Sequence, residues 1–87
     1  MALINDIELE SGLVIGNAYH RIDSYKGTER YLAFIVNIYI NEEAFDEGKP
    51  PITYKEYGLS YNKDRNLFSQ MYEYLRSLPE YADAVEA

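Results

Sequence analysis

The chain has 87 residues, with fifteen acids against eight bases, a formal charge of −7, ten tyrosines, one histidine and no cysteine. That length fits one domain spanning residues 1–87, burying about 60–65% of its unfolded surface. The missing cysteines exclude disulfides and thiolate zinc sites, and His20 alone excludes any site built on two imidazoles.

In chain order, residues 3–9 (LINDIEL) read as a short, weakly alternating strand. Residues 11–16 (SGLVIG) form an apolar patch between two glycines, suited to a turn or a bent strand. Residues 17–25 alternate clearly, with Ala18, His20 and Ile22 on one face and Tyr19, Arg21, Asp23 and Tyr25 on the other. Lys26-Gly27-Thr28-Glu29 reads as a polar tight turn in which Gly27 is able to take a positive φ, so residues 17–26 and 30–41 make a hairpin. The second of these strands, RYLAFIVNIYIN, is apolar on both faces, with Asn37 its only strongly polar residue within the alternation. The pattern predicts a central strand covered on both sides, with a partner subunit supplying one cover.

Asn41 is a good helix N-cap, Glu42 and Glu43 suit the positive end of a helix dipole, and Gly48 is a natural stop. This predicts a single helical turn in a loop. Pro50 and Pro51 then open a strand over residues 52–62, whose Thr53, Lys55, Tyr57, Leu59 and Tyr61 face is the core-facing one. Leu67, Met71, Leu75 and Leu78 recur at helical spacing, with Phe68 and Tyr72 on the shoulder, predicting a helix over residues 66–78 that Pro79 ends. The acidic tail 80–87 is too short for a solitary helix, and Tyr81 and Val85 are the side chains that would pin it. The expected fold is α+β, an antiparallel meander of three to four strands with one C-terminal helix packed on a sheet face. The expected core is Leu32, Phe34, Val36, Ile38, Leu59, Leu67, Met71 and Leu75.

No catalytic constellation stands out. His20 has no evident orienting partner or pocket, so a structural or interface histidine is the better reading. Glu42, Glu43, Asp46 and Glu47 lack the alternating spacing of a calcium loop and read as a solvated acidic turn. Gly12 and Gly16 make no phosphate-cradling motif. Catalytic residues, metal ligands and cofactors are therefore all expected to be none. The acidic balance argues against binding nucleic acid. No apolar run reaches the roughly 20 residues of a membrane helix, and the acids near the N-terminus speak against a signal peptide, so a soluble intracellular product is expected.

The succession NAYHRI, an I-V-x-I-Y strand, an N-x-E-A turn, a Pro-Ile strand start and YEYLRSLPEYADA resembles small late structural proteins from the tail and baseplate region of tailed bacteriophages, over residues 12 to 85. The resemblance implies a non-enzymatic structural or assembly role in a phage virion, with other phage structural proteins as partners. It also implies location in the virion tail, or in the host cytoplasm during assembly. A small acidic inhibitor of a host nucleic-acid-handling or defence protein is the alternative. It would concentrate acids along one ordered face, whereas these are scattered through the chain. From the residues themselves, a homo-oligomer is expected to form through Tyr19, Tyr25, Tyr31, Ile35 and Tyr39 on the face of the hairpin away from the helix. The competing arrangement folds residues 3–15 over that face and leaves a monomer.

Overall fold

The computed structural model describes residues 2–87. Its elements are β1 (Leu3–Glu8), β2 (Val14–Gly27), β3 (Tyr31–Tyr39), α1 (Glu42–Asp46), β4 (Thr53–Ser60), α2 (Leu67–Ser77), a 3-10 turn (Pro79–Tyr81) and β5 (Val85–Glu86). The strands form one antiparallel sheet in the order β4-β3-β2-β1-β5, so the fold is α+β. The first four strands are the expected meander. The fifth, beyond the three or four anticipated, comes from the tail: Val85 and Glu86 pair with Ile4 and Leu3 through backbone. The tail's side chains contribute unequally, since Tyr81 is buried whereas Val85 is 63% exposed.

Helix α2 covers one sheet face. Asn66 caps it, its side chain accepting from Ser69 N at 2.9 Å. Met71, Tyr72 and Leu75 then pack against Leu3, Ile7, Ala18, Ile22, Leu32, Phe34, Val36 and Ile38. Leu59 and Leu67 border this core half-buried, while the other six residues expected there are fully inside. Truncating a buried Leu or Met in such a core costs about 2–5 kcal/mol. The buried Gln70 ties the preceding loop to the helix: its Oε1 accepts from Asn62 N and its Nε2 donates to Asn62 O, both at 3.0 Å.

The pairing of β2 with β3 shifts between Ile22 and Ser24, leaving Asp23 as the extra residue of a β-bulge. Beyond it the faces of β2 exchange. Tyr25 consequently lies opposite Phe34 on the helix side, its ring edge-on to Phe68 at 5.6 Å. The bulged strand also presents Ile22 N to the hydroxyl of Tyr72 at 3.1 Å.

One sequence expectation is corrected here. Gly27 does not adopt a positive φ; a Cβ there would meet the carbonyl oxygen of Tyr31 at 2.1 Å, so glycine is required by close backbone approach. Within the single chain, strand β3 is covered on its helix-facing side, whereas on the opposite face Ala33, Ile35 and Asn37 are half-buried and Tyr31 is exposed.

The C-terminal turn is held by polar contacts, the His20–Tyr81 pair buried and those to Glu80 at the surface. His20 Nε2 lies 3.1 Å from Asn5 O, which can only accept, so Nε2 carries the proton and Nδ1 accepts from the Tyr81 hydroxyl at 2.9 Å. Asn5 Nδ2 donates to Glu80 O at 2.8 Å, and Tyr57 donates to the Glu80 carboxylate at 2.9 Å. Burial holds the His20 imidazole neutral, lowering its pKa to about 4; the contact with Asn5 O opposes this in part, and Lys55 adds to it.

Because unfolded His20 titrates near 6.5, the unfolded state binds more protons as pH falls below that value. Stability is therefore lost from about pH 6.5 down to about pH 4, by about 3 kcal/mol for this group. Urea unfolding at pH 7.5 and 4 should show this loss in the wild type and a correspondingly shallower pH dependence in His20→Gln. A separate expectation concerns the β2–β3 turn: Gly27→Ala should destabilise by about 1–3 kcal/mol in thermal or urea unfolding, because backbone has to move to admit the methyl group.

Candidate functional site

The sheet face away from α2 is built from alternate residues. Directly opposed residues of antiparallel strands share a face, and the registers place Tyr19, Arg21, Ser24 and Lys26 of β2 beside Tyr31, Ala33, Ile35, Asn37 and Tyr39 of β3. Tyr54, Glu56, Gly58 and Ser60 of β4 complete it. This surface has three zones.

At one end α1 folds back over the sheet. Asn41 caps it, accepting from Ala44 N at 2.7 Å, and Gly48, at φ 78°, ends it. The turn delivers Phe45 between Tyr19 and Tyr39, with ring centroids 5.3 and 5.0 Å away, and Ala2 and Ile4 close the cluster. The Arg21 guanidinium lies over the Phe45 ring at 4.5 Å.

In the middle the bulge presents Asp23 to a ring of donors. Its carboxylate accepts from the Tyr39 hydroxyl at 2.6 Å, Asn37 Nδ2 at 3.0 Å and Arg21 Nε at 3.0 Å. Burial, then the hydrogen bond and charge of Asp23, push the Tyr39 phenol up to about 12. It therefore stays a donor across the physiological range, and the network acts as a fixed polar seam across the sheet.

At the other end no described residue covers the face. The Tyr31 ring lies across Gly58, where a Cβ would come within 1.8 Å of its hydroxyl oxygen. Beside it a shallow depression of about 140 Å³ is floored by Ala33 and rimmed by Ser24, Lys26, Ile35 and Glu56. Tyr31 is 54% and Tyr54 65% exposed. The zone is thus aromatic and aliphatic, with one cation and one anion at its margin.

Of the five residues expected to form an interface, Tyr31 and Ile35 lie together on this uncovered zone. Tyr19 and Tyr39 face each other on the same side, but at 6% and 7% exposure they are enclosed by Phe45. Tyr25 is carried to the helix side by the bulge. The competing arrangement, with residues 3–15 folded over the face, is not the one seen, since β1 extends the sheet sideways by pairing with β2. Sequence reasoning missed Ala33, Tyr54 and Gly58 as members of the site. The alternation of β4 already set Tyr54, Glu56 and Gly58 apart from its core face, and adding them to the hairpin's outer face would have found them. It also missed Phe45 as a cover, whose signal was one aromatic residue in an otherwise acidic turn.

The imidazole of His20 is buried and engaged at both nitrogens. Among the described residues, no three His, Asp or Glu side chains converge on a position that could hold a metal ion. Comparison of the chain with family models, curated proteins and solved structures finds no match in any of the three.

Replacing Asp23 tests the polar seam. Asp23→Asn should lower stability by about 1–3 kcal/mol, because charge-assisted acceptance from three donors is lost. It should also bring the Tyr39 titration down from about 12 towards the ordinary value near 10, read by NMR of ring-labelled tyrosine.

Proposed function

We propose that the chain is a non-enzymatic structural or assembly protein that works by protein–protein contact through the uncovered zone of its sheet. The observation that carries this is the strip of Tyr31, Ala33, Ile35 and Tyr54, left without a covering element while α2 packs over the opposite face. Soluble chains rarely leave a contiguous apolar patch exposed without a binding reason, and tyrosine is enriched where surfaces meet. Further copies of the chain are among the partners. The motif resemblance drawn from the sequence places the role in the tail or baseplate region of a tailed bacteriophage, beside other phage structural proteins, in the virion or in the host cytoplasm during assembly.

The charge distribution supports contact with protein over mimicry of nucleic acid. The open face carries Asp23 and Glu56 interspersed with Arg21 and Lys26. Four other acids sit in or beside α1, and Glu80, Asp83 and Glu86 lie in the C-terminal segment. Asp6 and Glu8 lie on β1 and Glu73 on α2, so among the described residues the acids are spread over many elements.

Mass spectrometry of purified particles tests the assignment, with the protein expected in virions or in assembly intermediates. Its absence from both, with capture of a host nuclease or polymerase instead, would favour the acidic-inhibitor alternative. Ile35→Glu tests the surface: it should weaken association at least tenfold in sedimentation while leaving the circular dichroism spectrum unchanged. Tyr39→Glu is not a surface probe, since Tyr39 is enclosed, and it should unfold or strongly destabilise the chain.

A further inference from the structure

The two edges of the sheet are unlike. On one side β5 is only two residues long, and β1 beside it changes register between Asn5 and Ile7, so that edge is short and broken. Asn5 is further strapped to Glu80. On the other side β4 runs eight residues, Thr53 to Ser60, pairing with β3 without a register shift and containing no proline. Edges of this kind are what natural sheets shorten, bulge or cover unless they are used.

The ladder fixes which groups are free. Tyr61 N donates to Arg30 O at 3.0 Å, and the same alternation turns the N–H and C=O of Thr53, Lys55, Tyr57 and Leu59 towards β3. The backbone groups of Tyr54, Glu56, Gly58 and Ser60 therefore point outward. Their side chains belong to the uncovered zone, so the free edge and the apolar strip adjoin.

We propose that β4 is the two-fold interface of a homodimer, pairing antiparallel with β4 of a second copy to make one continuous ten-stranded sheet. This rests on the contact role proposed above and specifies how copies meet. Two registers give the greatest overlap. One centres on Glu56 and sets its carboxylate against its own symmetry mate, which like-charge repulsion disfavours. The other centres on Tyr57, placing Glu56 opposite Gly58 and Tyr54 opposite Ser60. In that register each Tyr54 meets small residues beside the partner's Tyr31 ring, and the two open zones join across the axis. The second register is the one the side chains select.

Sedimentation of the full chain from micromolar to high micromolar concentration tests this, together with Glu56→Pro. The Glu56 N–H points away from β3, so proline removes an intersubunit bond and obstructs docking while leaving the β3–β4 ladder intact. The expected result is a wild-type dimer and at least a hundredfold weaker association in a variant with unchanged circular dichroism. A wild type that stays monomeric overturns the proposal, as does a dimer that Glu56→Pro leaves intact. In the latter case the open face, not the edge, carries assembly, and the contact role survives. Should Glu56→Pro fail to fold, disulfide trapping in this otherwise cysteine-free chain decides. The chosen register brings Tyr54 and Ser60 to a Cα separation of about 5.5 Å, within disulfide range. Mixed Tyr54→Cys and Ser60→Cys chains should therefore cross-link at least tenfold faster than either alone. Equal rates, or no cross-link, overturn the proposal.

Discussion

Both faces of this protein depend on the bulge at Asp23. One additional residue in β2 reverses which side chains point to which side. Before it, β2 sends Ala18, His20 and Ile22 towards the helix; after it, Tyr25 takes that direction and meets Phe68. The bulge also gives Tyr72 a backbone donor and places a carboxylate where three donors of the opposite face reach it. Without it, Tyr25 would join Tyr31 and Ile35 on the open side, and Asp23 would be an ordinary outward strand residue. The local geometry that gives Tyr72 its backbone donor therefore also limits the uncovered zone.

The second constraint is the amount of cover that a short chain can supply. An eleven-residue helix shields one face of the sheet, and the 3-10 turn after it completes that side through Tyr81. What remains for the other face is the five residues of α1, enough to enclose Tyr19 and Tyr39 with Phe45 but not to reach Ile35 or Tyr54. The exposed strip is thus the residue of a limited supply of covering elements. The absence of a side chain at Gly58 makes room for the hydroxyl end of Tyr31, and Ala33 floors the depression beside it, so the surface is shaped as well as apolar.

Much of the fold was legible because the relevant signals are local. Alternation marked the hairpin and the core side of β4, Asn66 and Pro79 bracketed α2, and the Leu67, Met71, Leu75 stripe marked its buried side. Features that depend on distant backbone were not legible. A bulge has no composition of its own, so parity carried forward from Tyr19 put Tyr25 on the wrong side. The need for glycine at position 27 comes from the approach of the Tyr31 carbonyl, which a turn rule reads as a matter of φ. The partners of His20 lie 15 and 61 residues away, so its role as a buried structural link could be named only generally. The candidate surface was half legible: Tyr31 and Ile35 follow from one strand's alternation, whereas the contribution of β4 and the shielding by Phe45 emerge only when elements are assembled.

The links between Asn5 and Glu80 and between His20 and Tyr81 span 75 and 61 residues. During synthesis, β1 to β4 emerge before any residue of α2, so a meander can pair while its inner face still has no helix to lie against. That interval leaves Phe34, Val36 and Ile38 open to solvent together with the free edge of β4. Contacts of such long sequence separation slow folding, and sheets paired before their cover arrives are the species most prone to premature association. The order in which this chain leaves the ribosome thus makes α2 and the turn after it the step that closes the inner face of the sheet.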